Sequence, residues 1–286
     1  MASAEELIKE IHTLKPLPQV AIQIITLGED PRSSVSDIAD VVLYDPGVTA
    51  TILKLCNSAF FSLPRKVESI RDAICFLGMN QIIDLVLLKG SAENMLKDGQ
   101  GYGFHEGELW RYAVSSALIA KELAKRRGYK NTHLIFTAAL LKDIGKVILD
   151  RYVSDSFEKI ENLVEEKGYS FREAEKEILG IDHAELGALV AKIWKFSEKM
   201  IYIITNHHMS DESAKEDFET SIVYLADTVC TMMGMAGESE GLAQRFYEEV
   251  LKRLKISHVD LQDIMAGFIE DMGKVENLIG AAQTPW

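Results

Sequence analysis

The sequence predicts an all-α protein, on three observations. Helix-starting residues recur along the chain, apolar residues between them keep helical spacing, and no stretch shows the period-two alternation of a half-buried strand. The organising stretch is 134–149, LIFTAALLKDIGKVIL, where Lys142, Asp143 and Lys146 interrupt a run otherwise fit for burial. Charges taken out of water need partners, so this stretch is also the first pointer to chemistry.

In chain order, 5–13 reads as a short amphipathic helix, stopped by Leu17-Pro18, and a second helix runs from Gln19 to about Gly28. Ser34-x-x-Asp37 makes a start of capping-box type for IADVVLY, with Asp in place of the usual Glu or Gln. Asp45-Pro46 is a cap followed by proline at the first helical position, launching GVTATILKLCNSAFF. Ser69-x-x-Asp72 opens a helix that Gly78 closes in the left-handed conformation, and Asn80 caps a longer one through about Leu96. The glycine-rich stretch 97–107, KDGQGYGFHEG, is the best boundary, dividing a lobe of residues 1–100 from a core of residues 101–286. Beyond it come Glu108 to Arg127, a central helix capped by Thr132 that carries Lys142 and Asp143, and helices begun by Ser154 and by Ser170 with Glu173. Ala184 to Trp194, Glu198 to Asn206 and Phe218 to Met235 follow; the tail from Gly241 to Gly273 supplies about two more, and the last residues fray.

Composition narrows the class. With 286 residues, 47% of them hydrophobic, the chain can build a real core in one large domain or two modest ones. Cys56, Cys75 and Cys230 are odd in number, lack CxxC spacing and sit in apolar stretches, the pattern of buried thiols in a reducing compartment. The start MASAEELIKEIHTL is acidic and amphipathic, and no apolar run approaches the ~20 residues of a membrane span, so a soluble cytoplasmic protein is expected. A net charge of -13 repels phosphate backbones and disfavours nucleic acid as a partner. No phosphate-binding loop, dinucleotide fingerprint, nucleophile elbow or zinc-finger spacing occurs.

His12, His105, His133 and His258 stand alone in polar or terminal segments and read as ordinary surface or packing residues. The other histidines lie between Asp182 and Met209: His183 precedes AELGALVAKIW, and His207 and His208 end MIYIITNHH. Neutral imidazoles suit first-row transition metals, and Asp143 is the obvious carboxylate to complete a three-nitrogen, one-oxygen set. Histidines hydrogen-bonded in a metal-free polar pocket are the alternative. Lys142 and Lys146, one helical turn apart, could grip a phosphate together. Trp110 and Trp194 read as core anchors.

Several blocks in order, LKPLPQVAIQIITL, Asp45-Pro46, LKLCNSAFF, SIRDAICFLG, the Trp110 helix, AALLKDIGK, DHAELGALVAKIW and NHH, resemble the HDOD family across roughly Leu14 to Ser210. This is a signalling branch of the HD-domain superfamily of metal-dependent phosphohydrolases. The resemblance implies an HD-domain-like helical core with an additional N-terminal helical lobe. It also implies a broken first-ion site: Lys142 stands where the histidine of the His-Asp pair belongs, and Tyr112 where the first ligand histidine belongs. Asp227 in VYLADTV matches the final aspartate, and Glu108 survives as another carboxylate. The second-ion set corresponds to Asp143, His183, His207 and His208 and is complete. The implied state is one transition-metal ion, Fe, Mn, Ni or Zn, with the Lys142 ammonium replacing the first ion near Asp143 and Asp227. The implied function is a non-catalytic bacterial signal-transduction output or scaffold domain partnered by a kinase or response regulator. Two readings stay open beside it: a metal-dependent phosphohydrolase acting on a nucleotide or cyclic dinucleotide, and a nucleotide-sensing module.

Overall fold

A computed structural model of the chain describes residues 9–15, 17–29, 32–43, 45–97, 99–129, 132–237 and 248–283. Among these residues there are fifteen α-helices and no strand, only an isolated bridge between Gly99 and Phe104. The first five are α1 Gln19–Glu29, α2 Val35–Leu43, α3 Pro46–Cys56, α4 Ile70–Leu77 and α5 Met79–Met95. The centre of the molecule follows with α6 Glu108–Arg126, α7 His133–Leu141, α8 Lys146–Lys167, α9 Phe171–Leu179, α10 His183–Ile193, α11 Glu198–Asn206 and α12 Phe218–Met232. Three more close the chain: α13 Glu248–Leu254, α14 His258–Glu270 and α15 Met272–Gln283. Residues 5–8 of the first expected helix, 241–247 of the tail and the last three residues lie outside the described residues.

Cap chemistry sets most helix starts. Asp45 accepts from Val48 N at 3.0 Å with Pro46 at the first helical position, and Ser69 accepts from Asp72 N at 3.0 Å. Ser170 with Glu173 and Asp182 with Glu185 form full capping boxes. Each such cap contributes about 1 kcal/mol. Asn57 ends α3, and its side chain then clamps the following loop through Val67 N and Val67 O, both at 2.8 Å.

The expected elements shift in several places. Gly78 has φ 80 but ψ 160, so it is positive in φ without being left-handed helical; it joins α4 and α5 at a 115° bend, and Asn80 lies inside α5. Ser154 starts nothing, because α8 runs through it unbroken. The break comes earlier, at 142–145, where Ile144 N bonds Leu141 O at 3.0 Å and Lys146 N bonds Asp143 O at 3.0 Å, the tighter i to i−3 pattern. Its cause is tertiary. Gly145 is pressed on α10 so closely that a Cβ there would sit 2.0 Å from His183 O. The described tail stays packed as far as α15: Leu278, Ile279 and Ala282 are buried on α3, α5 and α6, and Lys89 Nζ donates to Ala282 O at 2.9 Å. Cys56 and Cys230 are buried as expected, whereas Cys75 is exposed.

The glycine-rich stretch at 97–107 is packed down. It forms a 3₁₀ turn, Gln100–Tyr102, with Tyr102 and Phe104 buried and Gly101 N donating to Asp150 Oδ1 at 2.8 Å. A Cβ on Gly101 would lie 2.2 Å from Asp150 O, so only glycine lets this turn seat on α8. One hydrophobic cluster runs from Ile11 to Ala282, with Trp110 at 0% exposure. No single described helix is long and apolar enough to cross a membrane.

Candidate metal centre

The core converges on a buried polar pocket. The turn after α7 supplies Lys142 and Asp143, the start of α8 supplies Lys146, α6 supplies Tyr112, α12 supplies Asp227, the first residue of α10 is His183, and His207 and His208 follow α11. Lys142, Asp143, Lys146, His183, His207 and Asp227 are all at most 3% exposed.

One half of the pocket is an ion-pair cluster. Lys142 Nζ contacts Asp143 Oδ2 and lies 2.6 Å from Asp227 Oδ1, while Tyr112 OH donates to that same Asp227 oxygen at 2.5 Å. Lys146 Nζ stands 2.7 Å from Asp143 Oδ1, an ion pair that lacks hydrogen-bond alignment. Burial works against charge on Asp143, but Lys142 and Lys146 outweigh it and hold the carboxyl well below its ordinary value. Burial likewise pulls Lys142 down, and Asp143 and Asp227 together push it above the usual lysine value. Two lysines and two aspartates therefore balance inside the protein, the arrangement that lets buried charge persist.

The other half holds imidazoles. His207 Nδ1 lies 2.7 Å from Ile204 O. A carbonyl only accepts, so this nitrogen carries a proton, and in the neutral ring Nε2 is the atom that offers a lone pair. That Nε2 is buried, has no hydrogen-bond partner among the described residues, and faces Asp143 Oδ1 at 3.8 Å. His183 Nε2 lies 2.8 Å from His208 Nε2 and 3.7 Å from Asp143 Oδ1. His208 is held well below its ordinary value by burial first, then by its two imidazole neighbours, which keeps it neutral. Asp143, His183, His207 and His208 each offer one ligand atom, all within 4.8 Å of one another. Nitrogen and oxygen ligands around one tetrahedral ion stand about 3.3 Å apart, so a small closure of this set would fit an ion. Lys146 Nζ already gives Asp143 Oδ1 a cation at 2.7 Å, so of this pair it is His207 Nε2, without a hydrogen-bond partner among the described residues, that an ion would satisfy.

Two residues complete the site that the sequence did not single out. Glu175 of α9 is fully buried, with Oε2 at 2.6 Å from His183 Nδ1 and 3.2 Å from His183 N, and Tyr102 OH donates to Oε1. Burial pushes this carboxyl up to about 7 in spite of both donors. The legible signal was an acid among Phe171, Ala174 and Leu179, the buried stripe of α9. Glu108, by contrast, is half-buried, is not one of the four clustered ligand residues, and accepts from His105 N at 2.8 Å. Lys142 and Lys146 both turn their ammonium groups to Asp143.

Comparison with known proteins follows this geometry. The HDOD domain family matches residues 14–210. An uncharacterized protein of Treponema pallidum (strain Nichols) is 24% identical over 254 residues, covering 88% of this chain and 47% of that protein, so the chain spans about half the length of this curated relative. A solved structure of a candidate phosphohydrolase from Shewanella amazonensis SB2B is 25% identical, with a TM-score of 0.69 over 96% of this chain and 97% of the other. A candidate signal transduction protein from Marinobacter aquaeolei VT8 shares the fold at 19% identity, with a TM-score of 0.76 over 98% of this chain and 65% of the other.

Proposed function

Because the chain belongs to the HDOD family, we propose that it is a non-catalytic signal-transduction output or scaffold domain, bacterial and cytoplasmic, that keeps one transition-metal ion at Asp143, His183, His207 and His208. The observation that carries this reading is Lys142, whose ammonium sits between Asp143 and Asp227 where the related hydrolases use a histidine and an ion. Phosphoester hydrolysis needs a metal-activated water and positive charge on the phosphoryl oxygens, commonly from two ions. An ion held by four protein atoms in a tetrahedral site leaves no position for that water. The donor set suits Fe, Mn, Ni or Zn. Likeness to the Marinobacter signal transduction protein supports a signalling role, with a kinase or response regulator as partner. A nucleotide phosphate gripped by Lys142 and Lys146 would have to compete with Asp143 for both ammonium groups.

Two measurements test the proposal. Elemental analysis of protein purified without chelator is expected to find one transition-metal equivalent, lost in His207→Ala. Incubation with cyclic dinucleotides and nucleotides in Mn²⁺, Fe²⁺ or Ni²⁺ is expected to give no turnover. Hydrolysis that depends on metal and disappears in Asp143→Ala would make the chain the phosphohydrolase that the Shewanella likeness favours.

A further inference from the structure

Beside the metal centre, a cleft of about 670 Å³ opens between the N-terminal segment, the end of α5 and the start of α8. This lies within the roughly 300–1,000 Å³ of ligand clefts. Its rim carries exposed Lys15, Lys97 and Arg151 against Glu10 and Asp150, and the Asp150 carboxylate is drawn to Gly101 N at 2.8 Å. Among the described residues the rim thus has one cation more than acids, and in a chain of net charge -13 such a place favours anions. The rim is anchored: Asn94, 6% exposed, bonds Lys15 N at 3.0 Å and Lys15 O at 2.8 Å. Buried Tyr102, Phe104 and Leu109 give the cleft an apolar floor.

Two wall residues reach the metal centre. Lys146 lines the cleft and pairs with Asp143 Oδ1 at 2.7 Å; Tyr102 lines it and donates to Glu175, which holds His183 Nδ1 at 2.6 Å. One candidate ligand, Asp143, is thus paired with a residue lining the cleft, and a second, His183, is linked to another through Glu175.

We infer that this cleft binds a small anion with an apolar body, a phosphate ester or a carboxylate, and that its occupancy is coupled to the metal cluster through Lys146 and Tyr102. The coupling rests on the metal reading above; the cleft itself does not. An anion that draws Lys146 away from Asp143 frees that carboxylate for a cation, so each ligand tightens the other by the same factor.

The experiment is calorimetric titration of the full chain with phenyl phosphate, benzoate and benzylamine, after chelator treatment and again with Mn²⁺. In chelator-treated protein, phenyl phosphate or benzoate is expected to saturate and benzylamine not to; the better anion identifies the head group. The double variant Lys97→Ala, Arg151→Ala weakens the anion about tenfold, and Lys199→Ala, outside the cleft lining, leaves it unchanged. Benzylamine binding as well as the anions, or indifference to the double variant, overturns the cleft assignment whatever the metal does. Mn²⁺ is expected to bind about fivefold tighter with the anion present, a factor that Glu175→Gln, between Tyr102 and His183, reduces. A factor of one overturns the coupling, and anion binding in a protein that takes up no metal overturns the metal reading alone.

Discussion

On its α6 and α12 side the buried centre is closed by its own side chains; on its α10 and α11 side His207 Nε2 has no hydrogen-bond partner among the described residues. Asp227 receives Lys142 at 2.6 Å and Tyr112 OH at 2.5 Å, so each charge there has an opposite within reach. His207 Nε2, 3.8 Å from Asp143 Oδ1, has no hydrogen-bond partner among the described residues, whereas that oxygen is met by Lys146 at 2.7 Å. The contrast underlies the proposed one-ion state: the two aspartates share a cation attached to the chain, and the cluster of Asp143, His183, His207 and His208 beside them could hold a free one. Asp143 belongs to both halves and is the hinge of the comparison.

The largest way to break it is Lys142→Leu, which leaves Asp143 and Asp227 buried without their shared counter-charge. Removing one partner of a buried pair destabilises by about 3–5 kcal/mol, read as a lower urea midpoint; a loss near zero would mean that Lys142 is dispensable. Metal sharpens the other half. Mn²⁺ or Zn²⁺ at 100 times its dissociation constant is expected to stabilise the fold by about 2.7 kcal/mol, an increment that His207→Ala abolishes in the same melts. Tyr112→Phe removes one hydrogen bond to a buried carboxylate and is expected to cost about 2 kcal/mol without altering metal uptake. Paired substitution Lys142→His with Tyr112→His should raise the bound metal from one equivalent to two by elemental analysis.

The smallest effect belongs to a pair nearer the surface, Lys199 with Asp217, at 37% and 22% side-chain exposure. Such pairs contribute about 1 kcal/mol or less. Burial works to raise Asp217, yet Lys199 and Thr220 hold it below the ordinary carboxylate value. A depressed folded-state value gives stabilisation present above the unfolded carboxylate range and lost as pH falls through the folded value. Asp217→Asn should therefore flatten the acid limb of stability slightly, and a slope unchanged from wild type would remove the pair from consideration.

Helix starts were legible because capping is local: Asp45, Ser69 and Ser170 bond amides three residues ahead, whatever the rest of the chain does. The break at 142–145 was not, because it is imposed by α10 against Gly145, a contact that no window of sequence contains. Asp143, His183, His207 and His208 were nameable from residue chemistry joined to the family resemblance. Tyr102 was hidden, since its partner Glu175 lies 73 residues away and neither belongs to a motif. Cys75 misled because an apolar neighbourhood in sequence still has an outward face.

The seating of Gly145 against His183 O, where an added methyl would arrive at 2.0 Å, has one more consequence. The distance from Asp143 to His183 is gauged by main chain touching main chain, a ruler with no adjustable joints. Neighbouring side chains can drift in size without stretching it, whereas a single extra carbon at that glycine would lengthen it at once.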